Sequence, residues 1–306
     1  MRRLHVCPIV AVFLTLGLTV MAHESESDSR GHLGLAFYSF DALPGATTNP
    51  QGINSKGDIV GSYTLAGSTH GFLLSDGVVT TIDYPGAVFT DARGINIRGD
   101  IVGAYRMMTE PAVNLHGYLR DKHGRFTPID FPNGGHTNTI AQRITASGLI
   151  VGCRHDAETM ATMRGIIVNA QDLSAFGETA AFASMNNGVT PDGRLIVGLY
   201  TDMDTNRGHG YLLYADGFIP FDVPGSTFTA AWDVNARGEV VGVYRDASNL
   251  AHGFLWAGFR FEAINFPGAA QTRAFGINSR GTVVGNYTDT SNKLHGFVAT
   301  RRHLED

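Results

Sequence analysis

Apolar and polar residues alternate along this chain in short runs, and the runs recur as one repeated phrase. Residues 93–132 hold its clearest copy: GIN-x-x-GDIVGAY, a loop, HGYLRD, a turn, then RFTPIDFP. An (I/V)VG triplet closes at Gly61, Gly103, Gly152, Gly198, Gly242 and Gly285, at separations of 42, 49, 46, 44 and 43 residues. Short apolar runs bounded by Gly, Asp, Asn and Pro read as strands, four to a unit. In the first complete copy they are expected at 51–54, 58–63, 70–75 and 78–83. Ser55-Lys56-Gly57 and Asp76-Gly77 supply the tight turns, and Tyr84-Pro85-Gly86 leads to the next unit. A period in the forties with four strands per unit predicts an all-β fold, a six-bladed β-propeller with four-stranded blades. No run has the length of a useful helix.

The two ends of the repeat region complement each other. Residues 35–45 (LAFYSFDALPG) match the end of a repeat, as in VVTTIDYPG at 78–86, but have no beginning. The sixth repeat stops after HGFVAT at 295–300. The N-terminal strand is therefore expected to complete the last blade and close the ring, which removes the unpaired edges of an open stack.

Before that strand, Arg2 and Arg3 precede a mostly apolar stretch at 6–20, and Val20-Met21-Ala22 fits a small-residue cleavage pattern. The chain thus divides into a signal peptide at 1–22, a disordered linker at 23–34, one propeller domain at 35–300 and a polar tail at 301–306. A secreted or periplasmic location follows, with an uncleaved anchor as the alternative. Cys7 leaves with the signal, so Cys153 remains alone and no intramolecular disulfide can form. The chain carries 23 basic and 28 acidic side chains, a net charge of −5. Loss of Arg2 and Arg3 leaves 21 against 28, or −7, which argues against nucleic acid and anionic membranes as partners.

The pattern FD-x-PG, T-x-x-x-GIN-x-x-GDIVG-x-Y and HGF resembles that of the bacterial extracellular HAF-repeat family over nearly all of residues 35–300. The resemblance implies secretion and a repeat architecture, and it brings no catalytic residues with it. Repeat three departs furthest, with Arg164 for the histidine, Thr145 for the asparagine of GIN and Asn133 for the turn glycine.

Function in a repeat protein is sought where one copy breaks the rule. His70, His116, His209, His252 and His295 all precede a glycine and obey it; they read as hydrogen-bonding struts within blades. Arg143 and Asp233 break it. They occupy an inner-strand position held by Gly52, Gly94, Gly188 and Gly276, and each could bring a charge to the central channel. Asp202, Asp204 and Asn206 open a D-x-D-x-N-x-G calcium pattern, although Leu213 stands where the bidentate glutamate belongs. An Asx-rich turn without metal explains the same residues.

The methionines are the third departure. Met107, Met108, Met160, Met163, Met185 and Met203 all fall in blades two to four and near one end of the strands, where Glu110, His136 and His155 share the loops. Thioethers beside imidazoles would suit copper; an adaptable thioether surface would suit a ligand; packing filler between long loops needs neither. The reading is a binding or interaction module that engages a peptide, polysaccharide or small ligand on the loop face over blades two to four. Its competitor is a metal-assisted hydrolase or lyase with its site at the channel mouth. No nucleophile motif or phosphate loop decides between them.

Overall fold

The computed structural model describes residues 21–23, 34–111, 114–132, 137–156, 162–179 and 183–302. Among them no helix is long and apolar enough to cross a membrane. The strands run as consecutive antiparallel meanders. The first comprises β3 (Thr47–Ile53), β4 (Ile59–Leu65), β5 (Ser68–Ser75) and β6 (Val78–Ile82). The second is β7 (Ala87–Ile95), β8 (Ile101–Met107), β9 (His116–Arg120) and β10 (Phe126–Ile129), joined to the first by a single parallel bridge between Thr69 and Phe89. Then come β11 (Thr137–Ile144) to β14 (Asp172–Glu178), β15 (Ser184–Val189) to β18 (Gly217–Phe221), and β19 (Phe228–Val234) to β22 (Arg260–Ile264). The last meander has three strands in sequence: β23 (Gln271–Ile277), β24 (Val283–Thr288) and β25 (Leu294–Arg301). Its fourth is β2 (Leu35–Phe40), paired antiparallel with β25, and β1 (Met21–His23) lies outside β2.

This arrangement of four-stranded sheets around an axis is a β-propeller. Its core lies between sheets. Val60 and Ile82 of the first blade pack on Ala92, Ile101 and Tyr118 of the second. Phe40 and Val284 of the last pack on Ile53, Ile59 and Phe72 of the first. The glycine of each (I/V)VG triplet is a packing requirement. A Cβ at Gly61 would collide with the Asn49 carbonyl and stand 2.8 Å from the ring of Phe72, which is fully buried. The hairpin turn is conformational instead: Asp76 and Gly77 both have positive φ, 50° and 77°, as a type I′ turn needs.

The first strand begins at Thr47, four residues before the expected start. Its polar opening is tolerated because the Thr48 hydroxyl accepts the Ala42 N–H at 2.9 Å. Pro50 sits at a register shift against β4, where the ladder is already interrupted. Met185 lies near the start of a strand, β15.

Candidate functional site

Six inner strands leave one hydrogen-bonding edge each facing the axis, and an unpaired buried edge is costly. Glycine at the same level of four blades lets the backbones approach closely: a Cβ at Gly52 would meet the Arg93 carbonyl at 2.6 Å, and one at Gly188 the Asp233 Cα at 2.6 Å. In the other two blades Arg143 and Asp233 fill the space left. Arg143 reaches the carbonyls of Arg93 (2.9 Å), Gln142 (2.8 Å), Gln51 (2.8 Å) and Phe275 (2.6 Å), which belong to four blades. Asp233 accepts the N–H groups of Val234 (2.9 Å) and Ile277 (3.1 Å). The two side chains meet across the axis, Nε to Oδ2, at 3.3 Å, although blades three and five are not neighbours. Burial pushes the Asp233 carboxyl above its usual range, outweighing the guanidinium and the two amides. Sequence pattern placed both residues at the channel. Their bonds make them the plug that satisfies its edges.

Below this plug a cavity of about 340 Å³ opens at the end of the channel formed by the turns between first and second strands. Every blade contributes to its wall, with Ile53, Ile95, Ile144, Val189, Val234 and Ile277 in equivalent positions and Arg143 and Asp233 as the floor. The next residue in each strand pairs back across its own turn, as Asn54 N does to Asp58 O at 3.0 Å. Antiparallel alternation therefore turns the N–H and C=O of these six residues toward the axis, as the Val234 and Ile277 bonds to Asp233 demonstrate.

The turn asparagines brace the rim. Asn54 donates to Asp58 (2.8 Å) and to the Asn96 carbonyl of the next blade (3.2 Å). Asn96 repeats this toward Thr145, Asn235 toward Asn278, and Asn278 toward Asn54. Thr145 and Thr190 interrupt the series, and their hydroxyls serve their own turns through Ser147 and Asp192. Burial raises the Asp100 and Glu239 carboxyls, but bonds from Asn96 and Arg98, and from Arg237, Asn235 and Arg301, hold both below their ordinary values. Neither the cavity nor its brace was read from the sequence. The only signal was the residue two places after the asparagine: Lys56, Arg98, Arg237 and Arg280 are cationic in four of the six turns.

The methionine-bearing loops lie at the opposite end. Met107 packs against the Tyr105 cluster, whereas Met163, 3 % exposed, lies with Ala104, Ile140 and Cys153. Met108 is 77 % exposed. Glu110 is spent locally, accepting the Met107 N–H at 3.0 Å and contacting His116 Nε2 at 2.8 Å. His155 Nδ1 donates to the Asp156 carbonyl at 3.0 Å. His136 and Met160 lie outside the described residues. Asp202 accepts the N–H groups of Asp204 and Thr205 within its own turn (2.8 and 3.2 Å), and Asn206 takes a positive φ of 52° there. Asp246 and Asp289 repeat this use of the carboxylate in the sister loops, so turn chemistry accounts for the pattern.

The repeat histidines are struts whose partners stand just past the end of the outer strand. His70 bonds Asp83 (3.0 Å), His116 Asp130 (2.7 Å), His209 Asp222 (2.9 Å), His252 Asn265 (2.9 Å) and His295 Asp41 (2.8 Å). Each imidazole also stacks on a tyrosine of the second strand, as on Tyr105 at 5.2 Å for His116. Burial pulls the His116 imidazole down, yet the bonds to Asp130 and Glu110 carry it above its ordinary value.

The fold and the axial cavity define a β-propeller whose central channel is plugged at one level and open below it. No family model matches the chain, and no curated protein matches it in sequence. Solved structures match it in shape. A gluconolactonase from Xanthomonas campestris aligns at TM-score 0.58 with 13 % identity, over 97 % of this chain and 100 % of that one. Acylaminoacyl peptidase aligns at 0.51 with 10 % identity, over 95 % of this chain and 52 % of the peptidase, so this chain spans about half its length. The β-propeller domain of the Trilobed protease from Pyrococcus furiosus aligns at 0.43 with 11 % identity, over 96 % and 97 %. At these identities the likeness bears on fold alone.

Proposed function

We propose that this protein is an exported binding module of six closed blades that holds a small ligand in the axial cavity. The observation that carries the reading is the cavity itself: about 340 Å³, walled by all six repeats, within the size range of small-molecule sites. Support for closure comes from the β2–β25 pairing and from the bond of Asn278 to Asn54, which joins the last blade to the first. Support for export and for kinship with HAF-repeat proteins comes from the residue patterns at 1–22 and 35–300. Binding is favoured over hydrolysis because Asp233, the carboxylate on the cavity floor, is held by two amides and a guanidinium. It has little freedom to move a proton.

The test is a thermal-shift screen of the protein against small metabolites, repeated on Ala236→Trp, which fills the cavity from its wall. At least one chemical class should raise the melting temperature of the parent and leave the variant unmoved. Shifts that persist in Ala236→Trp, or none in the parent, would overturn the axial site.

A further inference from the structure

The axial cavity is walled by backbone. Ile53, Ile95, Ile144, Val189, Val234 and Ile277 line it, yet each side chain is buried in a different core between blades. What these residues turn inward is the N–H and C=O of the main chain. Each inner strand runs toward the turn at the mouth. In all six residues the N–H therefore lies on the floor side and the C=O on the mouth side. Asp233 shows this directly, since it takes the N–H groups of Val234 and Ile277 from the floor.

The plug uses only part of what the backbone offers. Asp233 occupies two of the six N–H groups. Arg143 spends its donors on carbonyls two residues earlier, those of Gln51, Arg93, Gln142 and Phe275, and not on the six that face the cavity. Among the described residues no protein group bonds the N–H of Ile53, Ile95, Ile144 or Val189, whose strands pair only on their other edge. Amides on one side of the floor and carbonyls all round the mouth side are thus left to an occupant. Charge is absent from the rest of the lining: Arg143 and Asp233 are its only ionisable residues, and they meet at 3.3 Å.

We propose that the cavity takes a small neutral polyol, a monosaccharide or a ring alcohol with several hydroxyls. This rests on the axial cavity being the binding site. A hydroxyl both donates and accepts, so a molecule that carries several meets amides on its floor side and carbonyls on its mouth side. The other classes of small molecule meet a penalty. A hydrocarbon would strip water from the inward backbone groups and leave them unsatisfied. An ion would lose its own hydration with no opposite charge to face, because the two charges of the plug are spent on each other and on the backbone. A volume of about 340 Å³ stands at the small end of ligand pockets and keeps the polyol to one ring.

Isothermal titration with myo-inositol, glucose, xylose, cyclohexanol and glucuronate tests it. At least one of the three neutral polyols should bind, about tenfold or more tightly than cyclohexanol, which lacks the added hydroxyls, and than glucuronate, which adds a charge; that is one power of ten in Kd. Ala236→Trp should abolish the binding. In amide spectra of protein grown with isotope-labelled isoleucine, the polyol should shift Ile53, Ile95 and Ile144. It should move Ile277, already held by Asp233, and Ile219, on an outer strand, much less. Cyclohexanol or glucuronate binding as tightly as every polyol, and lost in Ala236→Trp, overturns the polyol while the cavity stands. Polyol binding that persists in Ala236→Trp, or that shifts Ile219 and spares Ile53, Ile95 and Ile144, overturns the axial site along with its proposed occupant. No binding by any of the five overturns the polyol, and the thermal-shift screen then reports whether another class fills the cavity.

Discussion

Arg143 and Asp233 show how two residues solve a problem that belongs to the backbone. Channel-facing carbonyls need donors and channel-facing amides need acceptors. A guanidinium serves four of the first, and a carboxylate serves two of the second. Buried pairs of this kind cost desolvation, so the pair itself adds little over an apolar filler, but breaking it strands a charge. Arg143→Met is therefore expected to lower unfolding stability by about 3–5 kcal/mol in urea titration. The joint change Arg143→Gly/Asp233→Gly installs the residue of the other four blades and should recover at least half of that loss. A cost for Arg143→Met under about 1 kcal/mol, the worth of a surface pair, would contradict the plug.

At the scale of elements, the weight falls on β2. It forms the outer edge of the last blade, and its Phe37 and Phe40 are 6 % and 4 % exposed, in the cores on either side of that blade. Asp41, just past the strand, bonds His295 at 2.8 Å and Lys293 at 3.2 Å. Removing residues 1–41 should uncover the β25 edge and two half-cores together, producing aggregation or a large fall in melting temperature. Size-exclusion chromatography and scanning calorimetry report the outcome. A truncated chain that stays monomeric and melts within a few degrees of the parent would show that β2 is dispensable. The third and fourth blades meet differently, through a small apolar set of Val151, Val189 and Ile196 beside buried Ser184, Asn186 and Thr179. Repeat three also departs furthest in sequence, and this polar seam is its structural counterpart.

At the scale of the whole molecule, the two ends of the propeller have different characters. One carries the braced turns, the cations and the cavity. The other carries the loops in which Met108 and Met203 are 77 % and 57 % exposed. Mild peroxide followed by peptide mass spectrometry should oxidise Met108 and Met203 first and spare Met163, at 3 % exposure, until the protein unfolds.

By itself the sequence determined what depends on neighbours along the chain. Turn glycines, the (I/V)VG triplets and the spacing of apolar runs act within one blade, so the period was enough to find strands and count repeats. The N-terminal strand was legible too, because a blade lacking its last strand and a strand lacking its blade complement each other. Tertiary structure decided the rest. Arg143 and Asp233 are 90 residues apart on blades that are not neighbours, and only the arrangement of the sheets around one axis brings them to 3.3 Å. Met108 and Met163 share one end of the strands, yet packing between blades buries Met163 and leaves Met108 in solvent. The cavity lies at the other end from the methionine-bearing loops, and it is made of backbone edges at positions that look ordinary in every repeat. Six ordinary positions become the wall of a cavity only when the sheets set them around one axis.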